Sequence, residues 1–146
     1  MPGTIIGCLG AQRSGKTLFA YKLVKAIHEA YNIPVYTNIY SPQDDFHYIN
    51  SLEDFPLDLS PKILFIDEIY NGLDAQDYKK LKEISIFINT IGKQNCLFVY
   101  TTIEAEMVYN RLRNQTQTVV VVSKNDRNIY YKLCLLYTSD AADDLI

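Results

Sequence analysis

The sequence predicts an α/β domain of three layers, a mostly parallel sheet with helices on its faces and an antiparallel hairpin at its end. Apolar runs of strand length alternate with segments of helical period. A glycine-rich loop joins the first run to the first helix, and the polar turn Lys124 to Asn128 joins the last two runs. At 146 residues and 48% hydrophobic content, the chain can bury one core and leaves little room for a second.

Thr4 to Leu9 is an apolar run ending at a glycine, which suits a buried parallel strand. From Thr17 to Ala30, and on to Tyr31, the residues Ala20, Leu23, Val24, Ile27 and Tyr31 recur at three- and four-residue steps, so a helix follows and Pro34 stops it. Val35 to Asn38 reads as the second strand. The next stretch carries Pro42, Pro56 and Pro61 among many Asp and Asn residues and is expected to be a connection, with a capped turn at Ser51 to Asp54. Lys62 to Asp67, "KILFID", reads as a strand buried on both faces that delivers Asp67 and Glu68 at its carboxyl end. Tyr78, Leu81, Ile84, Ile88 and Ile91 keep a helical period up to Gly92. Cys96 to Thr101 gives the next strand, Glu104 to Asn114 a helix, Thr118 to Ser123 a Val-rich strand, and Ile129 to Leu133 its hairpin partner. Tyr21, Tyr31, Tyr78, Tyr130 and Tyr131 fall within these patterns, where packing is expected rather than base stacking.

Residues 134–146 stand apart. Cys134 to Asp143 reads CLLYTSDAAD, which matches a forward translation of the transposase adapter used in sequencing libraries, and Leu133 fits the preceding bases. The native domain is therefore expected to span 1–133 and to be truncated at its C-terminus, with 134–146 set aside as non-native. The formal charge is −3, and that segment holds Asp140, Asp143 and Asp144 with no Lys or Arg. Removing those three of the 17 acids leaves as many acids as the 14 bases. Bulk charge thus gives no sign of nucleic-acid binding. No signal peptide or membrane span is expected, and Cys8, Cys96 and Cys134 lack metal spacing, which points to a reducing, cytoplasmic setting. His28 and His47 have no Cys or acidic partner at metal spacing, so no zinc site is expected.

Gly10-x-x-x-x-Gly15-Lys16-Thr17 is a complete phosphate-binding loop in the context it needs, after a strand and before a helix. Gly10, Ala11, Gln12, Arg13, Ser14, Gly15, Lys16, Thr17 and Leu18 are its candidate nucleotide-binding residues. Glycines let the backbone curl so that N–H groups from about Arg13 to Thr17 face the phosphates, with the helix N-terminus adding partial positive charge. Lys16 is assigned to the β- and γ-phosphates of ATP, and the Thr17 hydroxyl to Mg²⁺. Asp67, ending a buried strand, is the Walker B acid that holds Mg²⁺. Glu68 directly after it is placed to orient or deprotonate an attacking water, which favours hydrolysis over simple binding.

The combination of "GAQRSGKT", "VYTNIY", "ILFIDEIYNGLDA" and "LFVYTT" followed by "NRLRNQT" resembles the FtsK/HerA-like superfamily, especially viral genome-packaging ATPases and Zot-like phage assembly ATPases. The resemblance runs from Ile5 to about Val122. It implies a RecA-like core that assembles into a ring, usually a hexamer, and uses ATP to move DNA. In these families a polar sensor, commonly Gln, ends the strand beside Walker B. Here that position is Ile103, so Thr101 or Thr102 is expected to contact the lytic water or Glu68 instead. Relatives often show an Asp before paired arginines, whereas Tyr109 precedes Arg111 and Arg113. One of these two is expected to reach a neighbour's γ-phosphate in trans.

The leading expectation is a Mg²⁺-dependent ATPase that moves double-stranded DNA into a viral capsid. A Zot-like virion assembly motor, with a membrane association the other reading does not need, is the alternative. A small nucleotide kinase and a non-catalytic nucleotide-dependent module are the readings from other classes. DNA-contact candidates are Lys79, Lys80, Lys82, Lys93, Arg127 and Lys132, because a ring multiplies any single Lys that faces its pore.

Overall fold

The computed structural model describes residues 3–50, 54–56, 58, 60–68, 95–103 and 116–135. Strand β1 (Thr4–Leu9) leads through the glycine-rich loop into helix α1 (Lys16–Tyr31), and β2 (Val35–Thr37), β3 (His47–Tyr48), β4 (Lys62–Ile66), β5 (Cys96–Thr102), β6 (Thr118–Lys124) and β7 (Ile129–Leu135) follow. All seven lie in one sheet in the order β3-β2-β4-β5-β1-β6-β7. Every pairing is parallel except β6 with β7. This is the mostly parallel sheet with an antiparallel terminal hairpin that the sequence predicts.

The Val, Ile and Phe content of the central strands explains their place, since β-branched and aromatic side chains suit a pleated surface covered on both sides. One face of the sheet carries Cys8, Ile63, Phe65, Val99, Val120 and Val122, which pack with Ala20 and Val24 of α1 into a buried cluster. Ala20 and Val24, one helical turn apart, are fully buried. Ile5, Leu64, Phe98 and Tyr100, of the opposite alternation, are buried as well. Burial on both faces is what three layers require. The helices expected over Tyr78 to Ile91 and Glu104 to Asn114 lie outside the described residues, as do the turn residues 51–53.

Local chemistry sets the ends of α1. Gly15 is its N-cap, at φ 97, and Asn32 ends it in the left-handed region at φ 55, its N–H donating to the His28 carbonyl at 2.8 Å. Pro34 then starts the turn into β2.

Several expectations need correction. The connection after β2 contains a two-residue strand, β3, which pairs in parallel with β2. Two residues carry almost no periodicity, and only the exposed β2 edge recruits them. Strands β5 and β6 run one residue further than expected, while β2 and β4 each end one residue earlier. Strand β7 runs two further, pairing Cys134 with Val119 and Leu135 with Thr118. Backbone groups make those bonds, so the ladder continues past the end of the side-chain pattern. Tyr31 and Tyr130 are 72% and 50% exposed, against the packing expected of them, whereas Tyr131, though 53% exposed, packs its ring against Phe19 with centroids 4.7 Å apart. Tyr31 is the last helical residue and β7 is the edge strand, so each has neighbours on one side only.

Candidate functional site

The carboxyl ends of β1, β5 and β4 lie side by side, with Leu9 opposite Thr102 and Ile66 opposite Tyr100. Strand order therefore decides what meets: the loop after β1 and the acids after β4 flank β5, and β5 supplies the residue between them. Such strand ends are the usual ligand crevice of open α/β sheets.

The loop from Gly10 to Gly15 curls tightly. Ser14 N–H donates to the Ala11 carbonyl at 3.1 Å, and Gly10 N–H to the Thr102 carbonyl at 3.2 Å. Arg13 and Gly15 both stand at positive φ, 62 and 97. A Cβ at Gly10 would fall 2.4 Å from Ser14 Oγ and 2.7 Å from the Val122 carbonyl oxygen, so the loop's first position has no room for a side chain. Ala11, Gln12 and Arg13 are exposed, whereas Ser14 and Lys16 are buried and Leu18 is exposed on the first turn of α1.

Two hydroxyls converge on one carboxylate oxygen. Thr17 Oγ1 donates to Asp67 Oδ1 at 2.8 Å, and Thr101 Oγ1 donates to the same oxygen at 2.6 Å. The Thr101 oxygen also accepts the Glu68 N–H at 2.8 Å. Thr101 thus touches Glu68 through its backbone, and Thr102 serves the loop through its carbonyl. Glu68 itself stands in the left-handed region at φ 53, a conformation that is costly for a residue with a Cβ. Asn38, just past β2, grips the residue before it: Nδ2 donates to the Asp67 carbonyl at 3.0 Å and Oδ1 accepts the Asp67 N–H at 2.8 Å. Sequence reasoning missed Asn38. Its signal was its place in the "VYTNIY" motif at the end of the second predicted strand, to which no site role was attached.

A polyphosphate with a divalent cation suits this set. The N-cap Gly15 has no side chain to occupy the first N–H groups of α1, no acid lies in the first turn, and the Lys16 ammonium stem is buried beside them. Ser14 Oγ is buried without a hydrogen-bond partner among the described residues. A hydroxyl and a carboxylate in contact, Thr17 and Asp67, are the hard oxygen donors that Mg²⁺ takes. Arg111 and Arg113 lie outside the described residues, as do Lys79, Lys80, Lys82 and Lys93. Arg127 and Lys132 are exposed on the β6–β7 hairpin. Among the described residues, no three His, Cys, Asp or Glu side chains form a metal cluster, and no helix is long and apolar enough to cross a membrane.

The fold is that of the RecA-like P-loop ATPases. It is similar to the N-terminal domain of zonular occludens toxin from Neisseria meningitidis (TM-score 0.60, 16% identity, 99% of this chain and 98% of that one). It is also similar to the genome-packaging NTPase B204 of Sulfolobus turreted icosahedral virus 2 in complex with ATP-gammaS, with a TM-score of 0.60, 12% identity, and coverage of 86% of this chain and 77% of that one. A KaiC-like protein from Pyrococcus horikoshii matches with a TM-score of 0.56 and 15% identity over 92% of this chain and 79% of its own. Both kinds of protein whose motifs the sequence resembles, Zot and the packaging NTPases, are among these neighbours. No family model and no curated protein matches the sequence.

Proposed function

We propose that the chain is the Mg²⁺-dependent ATPase domain of a ring-forming motor that moves double-stranded DNA into a viral capsid in the host cytoplasm, with residues 1–133 as the native part. The observation that carries this is the pair of hydroxyls from Thr17 and Thr101 on Asp67 Oδ1, which brings the phosphate loop and the acids into one site. The loop amides and Lys16 bind the β- and γ-phosphates and hold them in line with a water beside Glu68. Glu68 accepts a proton as the water oxygen bonds to the γ-phosphorus and the bond to the bridging oxygen breaks, leaving ADP and phosphate. Thr17 and Asp67 would hold Mg²⁺, which would neutralise phosphate charge there. Arg111 or Arg113 of a neighbouring copy adds charge at the γ-phosphate, and Lys79, Lys80, Lys82, Lys93, Arg127 and Lys132 are the pore-facing candidates.

Phosphate release from the assembled protein, measured with and without duplex DNA, tests the reading. DNA-stimulated release supports the motor. Release of ADP only with a nucleoside acceptor supports a kinase and overturns it. The near-complete mutual coverage with the zonular occludens toxin domain favours a second reading, a Zot-like phage assembly ATPase. The gene sequence beyond Leu133 separates them: a membrane-spanning stretch supports assembly, and a basic tail supports packaging.

A further inference from the structure

The two hydrogen bonds from Asn38 fall on one residue, Asp67, and on both polar groups of its backbone. The β2–β4 ladder ends at Thr37 opposite Phe65 and the β4–β5 ladder at Ile66. Beyond those points, the carboxamide takes over from the ladder, offering one donor and one acceptor in the fixed plane of an amide. Its target precedes Glu68, whose φ of 53 persists only where its surroundings hold it. Asn38 and Thr101 together place three hydrogen bonds on the backbone of the consecutive residues Asp67 and Glu68. Asn38 is also held from behind, because Ile39 N–H donates to Thr37 Oγ1 at 3.1 Å and the following loop is tied to α1 through Asp44 and Asp45.

We infer that Asn38 is a positioning residue for hydrolysis: its carboxamide fixes the Asp67–Glu68 peptide and so aims the Glu68 carboxylate at the phosphate loop. The inference rests on the hydrolytic role proposed for Glu68. Asn suits the position because Asp offers no donor to the Asp67 carbonyl, Gln adds a methylene that displaces the amide plane, and Ala offers neither bond.

The test compares the full chain with Asn38→Ala and Asn38→Asp variants. Single-turnover hydrolysis is expected to fall about tenfold or more, while ATP affinity stays within about twofold, because the phosphate loop is untouched. A role confined to stability would instead move affinity, turnover and melting temperature together. Amide exchange and φ at Glu68 are read by NMR in the same variants, without ATP. Faster exchange of the Asp67 and Glu68 N–H groups, with Glu68 leaving the left-handed region, supports the clamp. An Asn38→Ala protein that keeps positive φ at Glu68, or keeps the parent turnover, overturns it. If the parent itself releases no phosphate, the hydrolytic reading fails, and φ at Glu68 alone decides whether Asn38 holds the peptide.

Discussion

Replacing Thr101 with Val removes one hydroxyl from the centre of the site and leaves the side chain's shape nearly unchanged. Thr101 is fully buried, so no water replaces what is lost. The hydroxyl donates to the Asp67 carboxylate at 2.6 Å, a bond to a charged group of about 1.5–3 kcal/mol. It also accepts the part-buried Glu68 N–H at 2.8 Å, and leaving that group unpaired costs about 1 kcal/mol more. The expected loss of stability is therefore about 2.5–4 kcal/mol. Glu68 loses a bond that holds its strained backbone, and on the hydrolytic role proposed for it, misplacement by about an ångström lowers turnover on the order of 100-fold. Thr101→Ser is the matched control, since it keeps both bonds and removes one methyl group, worth about 1 kcal/mol. Urea unfolding gives the stability difference and single-turnover phosphate release gives the rate. If the Val variant hydrolyses ATP as fast as the Ser variant, or unfolds at the same urea concentration, the bridging role is wrong.

Gly10→Ala puts a methyl group 2.7 Å from the Val122 backbone carbonyl, which cannot swing aside. Titration with a fluorescent ATP analogue is expected to give about tenfold weaker binding or worse, about 1.4 kcal/mol. Burial pushes the Cys8 and Cys96 thiols up to about 12. Both should resist Ellman's reagent in the folded protein and react once urea is added. Stability should also fall as pH climbs past the ordinary thiol value of 9.0, where the unfolded chain ionises and the folded one does not. His28 is raised above its ordinary value, first by its bond to the Ile33 carbonyl at 2.6 Å, against a desolvation that lowers it, and then by Asp45 at 2.7 Å and the charge of Glu29. That contribution is complete below the ordinary imidazole value and is lost as pH rises through the raised one. Asp45 is largely exposed, so the effect is screened to about 1 kcal/mol. Melting curves of the parent and His28→Gln should differ most below the ordinary imidazole value of 6.5, and the gap should narrow as pH rises above it. A gap that widens with pH contradicts this.

The central strands and α1 were legible because burial on two faces leaves continuous apolar runs and a helix packed on one side leaves a period. Strand β3 left no such mark, nor did the exposure of Tyr31, Tyr130 and Tyr131, which depends on where the sheet ends. Arg111 and Arg113 entered through resemblance and lie outside the described residues. Thr101 and Thr102 entered as alternatives for one contact. Their neighbours separate them, with the Thr101 hydroxyl meeting both acids and the Thr102 carbonyl meeting Gly10.

The sequence by itself determined the phosphate loop between strand and helix and the acid pair at the end of "ILFI", because those demands are local: backbone curl, a helix start, a buried strand that stops. Tertiary structure alone decided that β5 stands between β1 and β4, that the Thr101 hydroxyl meets Asp67 and Glu68, and that Asn38 holds Asp67 across 29 residues of chain. Strand order is set by how faces are buried and edges are covered, and no window along the chain contains both partners of such a bond.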